Sequence, residues 1–342
     1  MTDIICIGSV IRDIIFKTNT SEIPKDGCAG IERQPLICFR YGVKINPDKA
    51  FFLFGGAGAN TAISFARLGL KASLFSKIGE DGTGEVILKT LKKNKVKTDL
   101  IQKDKKLHTA LSFIIVGRYS ERTIFPYAGA SGNVILTQKE QKQIAKSKWI
   151  YLSTLRDRSQ NLLPKILKIV SKNKIKLAFN PGSIELGKGY KYLKNILRYT
   201  EVLILNKEEA EQLIFSHKKI KNYDSKELLD ELLSYGPKIV VITDGENGAW
   251  ASNGENIFYI PCYKNKAIEQ TGAGDAFGSG FVAGLIRFND MKQALELANA
   301  NSLSVISKFG AQDGLLRLVR AKRLINKFAK KYPIKELKQR LN

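Results

Sequence analysis

A run of small residues ending in a carboxylate is the stretch of this sequence best suited to chemistry. Thr271-Gly272-Ala273-Gly274-Asp275 leads directly into Ala276-Phe277-Gly278-Ser279-Gly280-Phe281-Val282-Ala283-Gly284-Leu285. Phe277, Phe281, Val282 and Leu285 recur at helical spacing, so the small residues form a tight loop that opens a buried helix. The first amides of a helix have no partner inside it and lie at the positive end of its dipole, and side-chain-free residues let an anion reach them. Asp275 would repel that anion unless it faces a second reactant. An alcohol whose proton it accepts, while the amides of Gly272, Ala273 and Gly274 hold the charge on a transferring phosphoryl group, reconciles the two. An N-terminal aspartate favoured only by the dipole, with glycines serving helix packing, accounts for the same residues without chemistry.

The elements around this stretch narrow the choice. Asp3-Ile4-Ile5-Cys6-Ile7-Gly8-Ser9 reads as a buried central strand ending in a loop, the usual place for a ligand in an open α/β sheet, and Asp13 follows four residues on. Gly55-Gly56-Ala57-Gly58-Ala59-Asn60 is a glycine-rich turn opening a helix that stops near Gly69. From Ala72 to Thr243 strand-like and helix-like runs alternate, which requires a largely parallel sheet covered on both faces. Asn206-Lys207-Glu208-Glu209 has the spacing of a capping box, and Thr243-Asp244-Gly245-Glu246-Asn247-Gly248 that of a turn.

Thr271 to Gly280 resembles the second signature of the ribokinase-like (PfkB) sugar and nucleoside kinases, and Gly55-Gly56 with Asn60 resembles the first. The resemblance runs from Gly8 to about Gly310 and implies a ribokinase-like doubly wound αβα sandwich with a mainly parallel central sheet and a small β-sheet lid. It implies that Asp275 is the catalytic base, with Gly272, Ala273 and Gly274 as the anion hole. It further implies substrate contacts at Asp13, Gly55, Gly56 and Asn60, and nucleotide contacts at Asn206, Glu209, Thr243, Gly245, Gly248 and Asn299. Magnesium would be organised by Glu209 through water. The expected activity is transfer of phosphoryl from ATP to a hydroxymethyl group of a sugar, with an adenosine-type nucleoside kinase as the alternative. Ile11 and Ala57 stand where strict ribokinases carry Asn and Lys, which moves the expectation away from ribose and leaves the acceptor open. Glu269 and Gln270 replace the Asp and Thr of the family's monovalent-cation loop. A longer carboxylate that reaches Lys264 or Lys266 would make the ion unnecessary, so the expectation is weak monovalent-cation dependence with ordinary magnesium dependence.

The chain of 342 residues, 44% of them hydrophobic, is read as one kinase domain, with strand-rich lid excursions at about 12–54 and 109–127. The excursions comprise runs at Asp13 to Lys17, Gln34 to Tyr41, Ala50 to Phe54, Leu111 to Val116 and Arg122 to Phe125, and dimerisation through them is a further expectation. The net charge of +24 raises the question of nucleic acid. Its lysines are spread along helical runs such as Leu88 to Lys95, the pattern of solvated faces, so no nucleic-acid partner is expected. Four cysteines without C-x-x-C spacing, no bilayer-length apolar run and no basic leader point to a soluble cytoplasmic protein. There is no Walker A pattern.

Overall fold

The computed structural model describes residues 2–18, 39, 41–117, 122–219, 223–264 and 267–338. Fourteen strands are seen among them: β1 (Ile4–Ile7), β2 (Ile11–Lys17), β3 (Lys49–Gly55), β4 (Ala72–Gly79), β5 (Ile101–Asp104), β6 (Ala110–Val116), β7 (Arg122–Tyr127), β8 (Trp149–Ser153), β9 (Lys176–Asn180), β10 (Thr200–Asn206), β11 (Ile239–Thr243), β12 (Ala249–Ser252), β13 (Asn256–Ile260) and β14 (Lys335–Lys338). Ten of these form one sheet in the order β14-β13-β12-β11-β10-β9-β8-β1-β4-β5. The seven strands from β11 to β5 are parallel, and β12, β13 and β14 continue the sheet antiparallel at one edge.

Side chains along each central strand alternate between two cores. Ile4 and Cys6 of β1, with Val202 and Ile204 of β10, pack on one face; Ile5, Ile7, Leu203 and Leu205 pack on the other. The first face is covered by α1 (Ala57–Arg67), α2 (Gly82–Lys93), and three helices near the end of the chain. The second is covered by α3 (Gln138–Ile144), α4 (Leu163–Asn173), α5 (Ser183–Gly187), α6 (Gly189–Leu197), α7 (Lys207–Lys218) and α8 (Ser225–Ser234). The late helices of the first face are α9 (Ala273–Phe288), α10 (Met291–Ile306) and α11 (Leu318–Phe328). The expected doubly wound sandwich is therefore present.

The remaining four strands make a separate small sheet in the order β3-β2-β6-β7. Parallel pairing of β2 with β6, Asp13 opposite Ser112, joins the two strand-rich excursions. The expected run at Gln34 to Tyr41 lies, apart from Phe39 and Tyr41, outside the described residues, as do Cys28 and Cys38. The expected run Arg122 to Phe125 falls within β7. No described helix is long and apolar enough to cross a membrane.

Two glycines set how closely α1 approaches β1. A Cβ on Gly58 would lie 2.6 Å from the carbonyl carbon of Gly8. Gly56, at φ +90°, has backbone space only for hydrogen, since a Cβ there would meet Ser9 O at 2.6 Å. The start of α1 is thereby brought against the loop that leaves β1.

Candidate active site

The stretch 268–275 runs as a wall between two concave regions. Its first residues, Ile268 to Thr271, line a cleft of about 500 Å³ closed on the far side by Asp13, Phe51 and other residues of the small sheet. Its last residues, Ala273 and Gly274, line a second cleft with Thr243, Gly245, Gly248 and Asn299. A third, lined by Asp275, Gly274, Asn180, Asn206, Glu209 and Thr243, lies at the strand ends. Gly274 and Thr243 belong to both of the latter, so these two clefts adjoin, and Asp275 lines the third.

Gly272 takes the left-handed conformation (φ +80°) at the N-cap of α9, and a Cβ there would meet Ala311 at 2.5 Å. This turn places Asp275 in the first helical turn. Its Oδ2 accepts from Asn60 Nδ2 at 2.8 Å, and Asn60 Oδ1 accepts from Gln312 Nε2 at 3.0 Å. Because Gln312 occupies the carbonyl end of the Asn60 amide, the NH₂ end is fixed toward Asp275. Burial raises the Asp275 pKa above the ordinary carboxylate value, and the Asn60 hydrogen bond opposes that rise. This half-buried carboxylate has no ion-pair partner among the described residues.

The turn expected to bind an anion differs in one amide from the set Gly272, Ala273 and Gly274. Ala273 N donates to Gln270 O at 3.1 Å, which commits it to closing the turn. Among the described residues the unpartnered amides at this helix start are those of Gly272, Gly274 and Asp275. Gly274 is exposed and nothing lies within 4 Å of where its Cβ would be, so the approach to its amide is open.

Asn60, expected at substrate hydroxyls, is 4% exposed, and both ends of its amide are engaged by Asp275 and Gln312. Gly55 pairs with Ile11 across β2 and β3, and a Cβ on it would fall 2.4 Å from Asp13 Oδ2, so its contribution is room for that carboxylate. Asp13 itself lines the first cleft, of about 500 Å³. Its pKa is pushed up to about 6, first by burial and then by the nearby Glu269 charge, against a hydrogen bond from Ser112.

Asn206 and Glu209 form a reciprocal capping box on α7: Asn206 Oδ1 accepts from Glu209 N at 2.8 Å, and Glu209 Oε2 accepts from Asn206 N at 2.9 Å. The same two residues line the cleft of Asp275, so the capping and functional readings coincide in space. Burial raises the Glu209 pKa, with a smaller contribution from the Glu208 charge. No group of three metal-ligating side chains is found among the described residues. Asn299 also lines the second cleft, but its Nδ2 donates to Pro261 O at 2.9 Å and its Oδ1 accepts from Tyr263 N, tying α10 to 261–263.

Glu269 departs from the reach toward Lys264 considered from sequence. Its Oε2 accepts from Gly310 N at 2.8 Å, and no ion pair joins it to Lys264 among the described residues; Lys266 lies outside them. Gln312 was not expected from sequence. It follows a helix end in a stretch that reads as a loop, and only the fold carries it to α1.

The pattern described as pfkB family carbohydrate kinase matches residues 1–317, and the chain belongs to that family. A ribokinase of Staphylococcus aureus is 31% identical over 278 residues, 79% of this chain and 88% of that protein. An ATP-dependent 6-phosphofructokinase of Thermoanaerobacterium thermosaccharolyticum is 27% identical over 81% of this chain and 86% of its own length. In fold the chain is similar to Arabidopsis thaliana ribokinase complexed with ribose and ATP, at a TM-score of 0.80 and 18% identity over 95% of this chain and 98% of that one. It is likewise similar to a Methanocaldococcus jannaschii nucleoside kinase, at a TM-score of 0.73 and 21% identity over 96% of this chain and 99% of that one. These likenesses define a ribokinase fold.

The raised Asp13 carboxyl gives a stability prediction. The folded state favours its protonated form, so the stability that form contributes is present below the ordinary aspartate pKa and is lost as pH rises through about 6. Asp13→Asn removes the buried charge and keeps the shape. It is expected to raise unfolding free energy at pH 8 by about 1–3 kcal/mol and to change little at pH 4. Urea unfolding at the two pH values checks this.

Proposed function

We propose that the chain transfers the terminal phosphoryl group of ATP to a hydroxymethyl group of a sugar, with Asp275 as the general base. The observation that carries this reading is the position of Asp275 in the cleft of Glu209 and Thr243, four residues beyond Thr271 of the Asp13 cleft, with Asn60 and Gln312 holding its carboxylate. Bound ATP with magnesium supplies the phosphoryl group and neutralises part of its charge. The protein's own part is to bind, orient and deprotonate. Asp13 accepts a hydroxyl of the sugar and so fixes which oxygen meets Asp275. Asp275, in its ionised form, takes the proton of that oxygen. The Gly272, Gly274 and Asp275 amides bind phosphate oxygens, and Glu209 offers an anionic anchor for magnesium through water. The small sheet acts as a lid that excludes water from the acceptor. Its exposed apolar side chains Phe52, Ile124, Phe125 and Tyr127 support a homodimer through the same sheet.

A nucleoside acceptor is the second reading. Phe51 and Phe309 stack with ring centroids 4.5 Å apart beside the acceptor cleft, which Ile15, Leu53, Ile114 and Val116 also line, a surface suited to an apolar base. Rates of ADP release over a panel of sugars and nucleosides decide between the two.

Asp275→Asn is expected to lower kcat by about 10²–10⁴-fold while ATP affinity changes only a few-fold. A kcat near that of the unaltered enzyme would remove Asp275 from the role of base. Asn60→Ala withdraws the donor that opposes the rise in the Asp275 pKa, so the acidic limb of its kcat–pH profile moves to higher pH. Gln312→Ala moves it the same way by less, since Asn60 remains.

The Glu269 to Gly310 hydrogen bond supports weak dependence on monovalent cations, because the loop before the anion-binding turn is held by a protein contact. Initial rates in potassium should lie within about tenfold of those in sodium at constant ionic strength, a barrier difference below about 1.4 kcal/mol.

A further inference from the structure

On the side of residues 309–317 away from the acceptor cleft lies a second concave region, unrelated to any motif in the sequence. It comprises two adjoining pockets of about 400 and 270 Å³ that share Arg67, Asp313 and Arg317. Lys93 lines the larger pocket; Lys308 and Arg320 line the smaller. Five cations thus face a region whose linings include one acidic side chain, Asp313.

Arg67 is the group that makes this arrangement informative. It is half-buried at the end of α1, and every hydrogen-bond partner of its guanidinium is neutral: Asn94 Oδ1 at 2.8 Å, Gln312 O at 2.7 Å and Leu315 O at 3.0 Å. Buried cations are ordinarily matched by a carboxylate. Here no ion pair is made by Arg67 among the described residues, and the nearest charge effects on it are of opposite sign. Burial lowers its pKa most, the Arg317 charge lowers it further, and Asp313 opposes them. Arg317 and Arg320 are exposed and sit at the start of α11, free of ion pairs among the described residues.

We propose that this region is a second anion site that takes a phosphate group, free or carried as a monoester, between Arg67, Arg317 and Arg320. Guanidinium groups match phosphate oxygens in pairs, and the pockets are large enough for a small ester. The site is tied to the catalytic region by residues already named. Leu53, Phe309, Gly310 and Ala311 line both this site and the acceptor cleft. Arg67 holds the carbonyl of Gln312, whose side chain holds Asn60. A phosphate bound there fixes residues 309–317 and with them the support of Asp275, a consequence that rests on the proposed role of that carboxylate. The binding itself does not.

Hydrogen exchange of the full chain localises the effect. Inorganic phosphate, set against chloride at the same ionic strength, is expected to slow exchange of amides in 310–320; a phosphate bound only at the start of α9 would slow those near 272–276 alone and would overturn the proposal. The double variant Arg317→Gln/Arg320→Gln alters exposed side chains and should bind phosphate at least about tenfold more weakly at 310–320. Equal protection in that variant would also overturn it. Titration with glycerol 3-phosphate beside inorganic phosphate distinguishes the sources: tighter protection by the ester assigns the site to a phosphorylated metabolite, and tighter protection by phosphate assigns it to the free ion. Activity enters only afterwards, so a failed kinase assay leaves the binding result intact.

Discussion

The hydrogen bond from Asn60 Nδ2 to Asp275 Oδ2 is the contact on which the arrangement of this molecule turns. A carboxylate in the first turn of a buried helix is drawn by the helix dipole and penalised by burial, and here burial dominates. Asn60 offers it one directed donor without a full positive charge. An ion pair at the same place would lower the carboxylate's pKa and cost it basicity; the neutral amide orients it and leaves it able to accept a proton. The rest follows from keeping that amide in place. The glycine-rich start of α1 brings Asn60 beneath α9, and Gln312 sets the direction of its amide.

The same logic extends across the clefts. In a chain of net charge +24, Asp13, Glu209 and Asp275 all have raised pKa values, and none has an ion-pair partner among the described residues. Lysines are abundant, and one of them, Lys17, lines the cleft of Asp13 without pairing with it among the described residues. Under the proposed roles, carboxylates that meet a sugar hydroxyl, a hydrated metal or a proton are left without permanent counter-charges, and the folded state bears the cost. The surplus of positive charge on the surface in turn draws anionic reactants toward a region that would itself repel them.

Much of this was legible in the sequence, for reasons that differ by residue. The turn before α9 showed itself because small residues, a carboxylate and a helical apolar period change over within five positions. The central strands showed themselves as unbroken apolar runs, buried on both faces. The capping box at Asn206 and Glu209 was visible as spacing, and what spacing does not carry is that β10 delivers it to the cleft of Asp275. Asn60 was found as a residue but with a different partner, since a turn asparagine looks the same whether it meets a ligand or a side chain 215 positions away. Gln312 had no local signal. The edge strand β14 is short, its residues Lys335, Glu336 and Leu337 are exposed, and its order depends on pairing with β13. The commitment of the Ala273 amide to Gln270 O is a detail of turn geometry that residue type leaves open.

The span of the Gln312 to Asn60 contact, 252 residues, has a consequence for how the protein is made. During synthesis the glycine-rich turn of α1 emerges early, yet the carboxylate it orients and the glutamine that orients it are among the last parts of the described chain to leave the ribosome. Contacts of such separation form late because the intervening chain must be ordered first. A growing or truncated chain can build the first strands of the sheet and still lack the oriented Asp275 carboxylate. The contacts that orient the Asp275 carboxylate are thus withheld until early and late segments of the chain have met.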